Sequence, residues 1–180
     1  MNPSYTPFIS FLSLGTIILD IFLILGLLLY ALSFRASKKS RLEKIASFLG
    51  KNSIEISMLA ATFASLSTLF LSEIAGLVPC ELCWYQRVFM FPQVVILGIA
   101  LLKNDTKVRV TSLALSVIGL GIAVYHILLQ FYPAFFPCTD RAISCALTQF
   151  KDFGYVTIPV MSATVFSLII LLMLFGLRRK

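Results

Sequence analysis

Residues 110–132 read VTSLALSVIGLGIAVYHILLQFY, 23 consecutive positions without a formal charge, with His126 the only histidine of the chain. A helix needs about 20 apolar residues to cross the hydrocarbon of a bilayer, so this stretch suits one crossing. Four similar stretches share the chain. One runs from Pro7 to Phe34 and is interrupted only by Asp20. Another lies between Glu55 and Glu73 and extends weakly to Val78. A third begins near Cys83 and ends before Lys103, with Arg87 close to its start, and a last one covers 155–177. Helices are the expectation throughout, because open strands leave backbone groups unsatisfied in lipid. No segments of about 10 residues with alternating polarity occur, which excludes a β-barrel. The expected fold is an all-α membrane protein, a four-helix transmembrane bundle with an additional N-terminal transmembrane helix.

Composition agrees. Of 180 residues, 59% are hydrophobic and 13% charged, with mean hydropathy +0.96. A soluble domain has about 45–50% and about 25%. A disordered chain is excluded, and an ordinary water-soluble enzyme is disfavoured. Five spans leave little chain over, so chemistry is expected in short loops or inside the bundle.

The net charge of +7 is a statement about orientation. Twelve of the fifteen basic residues fall in alternate connections: six between Arg35 and Lys51, then Lys103, Lys107 and Arg109, then Arg178, Arg179 and Lys180. Basic residues accumulate on the cytoplasmic side, which places the N-terminus outside and the C-terminus inside. That distribution argues against nucleic acid as a partner. The first span follows no Lys or Arg and is too long for a cleaved signal, so a retained anchor is expected. Two units result: 1–50, the N-terminal helix with its basic cytoplasmic loop, and 51–180, a four-span domain. Asp20 lies mid-span, where an ionisable group usually faces protein or water. Docking this helix onto the others is the main reading, with proton handling as the alternative.

Four cysteines face the outer, oxidising side. Cys80 and Cys83 lie in Pro79-Cys80-Glu81-Leu82-Cys83, where the third span begins. Helix N-terminal amides favour a thiolate. Cys80, Cys83 and Arg87 share one helical stripe, Arg87 about 6 Å below Cys83 at the rise of an α-helix. A guanidinium there can favour a thiolate or polarise a carbonyl oxygen. Glu81 opposes this and is expected to point away. His126 lies at similar depth in its own span, so thiol, cation and imidazole can converge, although a packed bundle histidine is the plainer reading.

The second pair, Cys138 and Cys145, lies in the other outer loop. Closing so short a loop contributes little stability, and exposed disulfides are open to thiol attack. Two inert staples, or a four-cysteine zinc site, are the alternatives. The spacing and the oxidising side disfavour zinc, and no metal is expected.

Three motifs in order carry a resemblance. Pro79-Cys80-Glu81-Leu82-Cys83-Trp84-Tyr85-Gln86-Arg87 resembles the signature of the DsbB/BdbC family of bacterial membrane disulfide-forming proteins. Tyr125-His126-Ile127-Leu128-Leu129-Gln130-Phe131-Tyr132-Pro133, followed by Cys138, resembles that family's third-helix end. Residues 153–159, FGYVTIP, resemble the entry to its last helix. The resemblance covers about residues 55–177. It implies a thiol:quinone oxidoreductase of the bacterial inner (plasma) membrane, with the cysteine loops on its outer side. The enzyme would reoxidise a DsbA-like thioredoxin-fold partner and reduce a membrane quinone, ubiquinone or menaquinone. Cys80 and Cys83 would be the quinone-coupled pair, Cys83 touching the quinone, Arg87 holding its head group and His126 beside it. Cys138 would receive the partner's thiolate and Cys145 would resolve the mixed disulfide. Electrons would pass between the loops through a transient Cys80–Cys138 link. The six-residue spacing of the second pair resembles the Gram-positive-type variant, and the N-terminal span is additional to the family's four helices. A reductase or vitamin K epoxide reductase-like enzyme running in reverse, and a membrane scaffold with two structural disulfides, are the competing readings.

Overall fold

In a computed structural model, residues 5–33, 40–132 and 148–178 are described. Six helices occupy them: α1 (Thr6–Ser33), α2 (Arg41–Lys51), α3 (Ser53–Leu69), α4 (Glu81–Lys103), α5 (Val108–Phe131) and α6 (Ile158–Arg178). α3 continues as a π-helical turn, Phe70–Ile74, so that one unit reaches from Ser53 to Ile74. With this extension, all but α2 are long and apolar enough to cross a membrane. The chain is an all-α membrane protein with an N-terminal helix added to a four-helix bundle.

Helix α2 falls where the sequence suggested only a basic linker. Ser40 caps it, its hydroxyl accepting from the Glu43 amide at 3.2 Å, a cap worth about 1 kcal/mol. Leu42, Ile45 and Phe48 are exposed while Ala46 packs with Leu23 of α1 and with Leu171 and Phe175 of α6. An amphipathic helix of this kind suits the membrane interface.

Helices α3 to α6 pack around Ala61, Leu97, Phe166, Ile169 and Met173. Lipid is as apolar as these side chains, so close packing and polar links, rather than hydrophobic burial, hold such helices together. Gly119 of α5 allows the closest approach, because a Cβ there would lie 2.4 Å from Cζ of Phe166. Buried Gln93 of α4 accepts from Ser112 (2.7 Å) and Ser116 (3.2 Å) of α5. At the basic end Arg109 donates to the carbonyls of Gly50 and Gly176 and to Ser53, tying α2, α3, α5 and α6 together.

α1 packs along α6 and α2. Asp20 accepts from Thr164 at 2.7 Å and from the Tyr155 hydroxyl at 2.9 Å, so its carboxylate is engaged in docking α1 on the α6 side. Arg178 binds Ser33 and Glu43 at the opposite end of α1. Near its start, Tyr5 and Phe8 meet Phe70 of the π turn, with ring centroids 5.9 and 4.3 Å apart.

Candidate active site

Cys80 is the N-cap of α4, in extended conformation, and the helix proper begins at Glu81. Pro79 therefore precedes the cap instead of occupying the first helical position. The short segment 75–80 enters through Gly76 at φ +73°, a conformation that favours glycine. The Cys80 and Cys83 sulfurs lie 3.5 Å apart in the dithiol form. Glu81 is exposed, as its position next to the stripe suggests.

The two sulfurs look in different directions. Cys80 is buried, and its sulfur lies 3.7 Å from Nε2 of His126. His126 is only 2% exposed, and its Nδ1 lies 3.1 Å from Nε2 of Gln86, itself buried. Where the Gln86 amide donates to Nδ1, the ring hydrogen lies on Nε2, the nitrogen that faces Cys80. Cys83 instead borders a cavity of about 310 Å³, together with Gln86, Arg87, Met90 and Phe91 of α4. Neither Cys80 nor His126 lines that cavity.

Arg87 is 7% exposed inside this apolar setting. Its Nη2 donates to the Thr68 carbonyl at 3.0 Å. Its guanidinium carbon sits 4.9 Å from the centre of the Trp84 ring, a cation–π contact. Nη1 is buried and has no hydrogen-bond partner among the described residues. A buried cationic donor left open is costly unless a ligand oxygen completes it.

Cys80, Cys83 and His126 place one ligand atom each within 4.8 Å of the others, a set soft enough for zinc. It can serve a metal only as thiolates, since a Cys80–Cys83 disulfide removes both sulfur ligands.

Cys138 and Cys145 lie outside the described residues. The segment that follows them does reach the site: Gln149 donates to the Val78 carbonyl, and Lys151 lies 4.8 Å over the Phe131 ring. Asp152 and Val156 then exchange two backbone hydrogen bonds of 2.9 Å across a tight turn, with Phe153 at φ +47° and Gly154 at φ +81°. This turn is what the FGYV portion of the third motif encodes.

Residues 51–176 match the family model for disulfide bond formation protein DsbB. The chain belongs to the DsbB family. Relatives agree with that membership. Disulfide bond formation protein C of Bacillus subtilis is 42% identical over 120 residues, covering 65% of this chain and 86% of its own. A probable disulfide formation protein of Metapseudomonas resinovorans is 38% identical over 133 residues, 71% of this chain and 91% of that one. One from Chlamydia trachomatis is 34% identical over 125 residues, 69% and 92% respectively. No solved structure matches. A DsbB-family chain of this build is a multi-pass membrane oxidoreductase that forms disulfide bonds. The family match leaves α1 and nearly all of α2 outside it.

Three site features were not read from the sequence. Gln86 stands inside the first motif, and a primary amide in an apolar span signals the need for a partner. The Thr68 carbonyl gives no sequence signal, because any residue supplies one. The contribution of α1 to the cavity depends on how α1 docks.

Proposed function

We propose that this chain is a thiol:quinone oxidoreductase of the bacterial inner (plasma) membrane that reoxidises a DsbA-like thioredoxin-fold thiol oxidase, with both cysteine pairs on the outer side. The observation that carries this reading is that Arg87, whose buried Nη1 has no hydrogen-bond partner among the described residues, lines the same cavity as Cys83. The residues fit a quinone: the cavity is lined mainly by apolar side chains, and a carbonyl oxygen would complete the guanidinium. A bound quinone supplies the acceptor for two electrons and two protons.

The chain's own steps are thiol–disulfide exchanges. A partner thiolate attacks Cys138 of the Cys138–Cys145 disulfide and displaces Cys145 as thiolate. The partner's second thiolate, and not Cys145, resolves that mixed disulfide, because attack by Cys145 would return the partner reduced. The partner leaves oxidised, Cys138 and Cys145 are left reduced, and Cys145 instead resolves the later link to Cys80. Cys138 then attacks Cys80 of the Cys80–Cys83 disulfide, forming the transient Cys80–Cys138 link and releasing Cys83 as thiolate. Cys145 closes on Cys138 and expels Cys80. His126 Nε2 faces that leaving sulfur and favours its departure as thiolate, while Cys83 is left beside the cavity. The Gln149 bond to Val78, four residues after Cys145 and two before Cys80, supports the approach of the two loops.

The test is quinone reduction by the purified protein with a reduced thioredoxin-fold partner, followed by quinone absorbance. Cys83→Ser abolishes it on this reading; continued turnover by that variant sinks the route.

A further inference from the structure

We propose that α1, which lies outside the family match, forms one wall and the lateral entrance of the acceptor site. This rests on the quinone reading of the cavity given above. The cavity bordered by Cys83 and Arg87 is closed on its far side by Leu12, Gly15, Thr16 and Leu19 of α1. The other walls come from α3 with its π turn, α4, α6 and the connecting residues Leu77, Pro79 and Gln149, all inside the family match. A four-helix bundle lacking α1 would leave this side to lipid.

Two further observations set how α1 acts. It is held to α6 by Asp20 and to the π turn by Tyr5 and Phe8, and it does not pack closely along the body of α3. The gap between them is rimmed by Phe11 of α1 and Phe63 of α3, both lining the cavity and both more than half exposed. In a bilayer this rim faces acyl chains, the phase in which a quinone with an apolar tail dissolves. Gly15 faces the cavity with nothing within 4 Å of a Cβ built on it. A Cβ at that position meets no protein atom, so a larger side chain there adds volume at the cavity lining. The geometry thus assigns the quinone ring to the space between Arg87 and Gly15, and entry to the gap between Phe11 and Phe63.

Trp84 is the only tryptophan and lies against Arg87, so quenching of its fluorescence reports binding directly, without turnover. The full-length protein in nanodiscs is titrated with a decyl-substituted benzoquinone. The series Gly15→Ala, Gly15→Leu and Gly15→Phe weakens binding progressively, with the dissociation constant rising about tenfold at phenylalanine as the cavity fills. Gly121→Phe on α5, also with nothing within 4 Å of its Cβ position but outside the cavity, stays within about twofold of the parent. If Gly15→Phe binds like the parent while Arg87→Gln binds weakly, the role of α1 is overturned and the quinone site stands. If neither substitution changes binding, the quinone reading of the cavity falls, and this inference with it. A photoreactive quinone analogue on the unaltered protein gives an answer independent of variant folding. Label recovered in residues 8–19 supports the proposal, and label confined to α3, α4 and α6 overturns it.

Discussion

Gln86, His126 and Cys80 form a short polar chain in an otherwise apolar bundle end. Its chemical consequence is that the two cysteines of one CxxC motif have unlike surroundings. Cys80 has an imidazole hydrogen to receive its charge, whereas Cys83 has the cavity and the neighbouring cation. A sulfur so placed is the better leaving group in exchange. In a Cys83→Ser background, His126→Ala therefore slows iodoacetamide alkylation of Cys80 at pH 7 by about tenfold. Gln86→Glu, whose carboxylate favours the doubly protonated ring, keeps or raises the rate, and Gln86→Leu lowers it. Equal rates in His126→Ala and its parent would show that the imidazole only packs. That Cys83 and Arg87 share one face of α4 was legible from spacing alone, although Cys80, as the extended N-cap, does not line the cavity with them. That His126 faces Cys80, with the cavity opening on the other side of the pair, was not, because equal depth on two helices leaves their rotation undetermined.

At the scale of elements, the spans were legible because lipid permits few backbone solutions, and their ends shifted through local features such as the Cys80 cap and the Asp152–Val156 turn. The third span begins at Glu81 because Cys80 takes the cap. The π turn at Phe70–Ile74 and the helix at Arg41–Lys51 escaped notice, since neither departs from ordinary helical composition over a long window. Contacts between helices are more demanding than the spans themselves. Gly119→Ala sets a methyl group against the buried ring of Phe166, at a cost of about 1–3 kcal/mol. Gly121→Ala, two residues away in open space, removes a helix-destabilising glycine and stabilises by up to about 1 kcal/mol. Denaturant unfolding in mixed micelles compares the two. Equal stabilities would remove the close α5–α6 approach from the account.

For the whole molecule, the helices alternate in direction, so the connections gather at two ends. Cys80, Gln149 and the Asp152–Val156 turn share one end, and Arg109, Arg178 and α2 share the other. The proposed orientation, read from the charge rule, has the latter cytoplasmic. A membrane-impermeant maleimide applied to intact cells should label an Asp152→Cys variant and spare Asp105→Cys, each made in a chain lacking the four native cysteines. The reverse pattern would put the redox end inside, where disulfide formation has no oxidising surroundings. The sequence by itself determined the number of spans, their alternation and the pairing of cysteines with the end poorer in basic residues, because hydropathy, charge and spacing are local quantities. The tertiary structure alone decided that Cys80 meets His126, itself held by Gln86, while Cys83 meets the cavity. It also decided that the helix outside the family match closes that cavity. Both depend on the rotation and docking of whole helices, set by contacts such as Asp20 with Thr164 between residues 144 positions apart, which no local pattern contains.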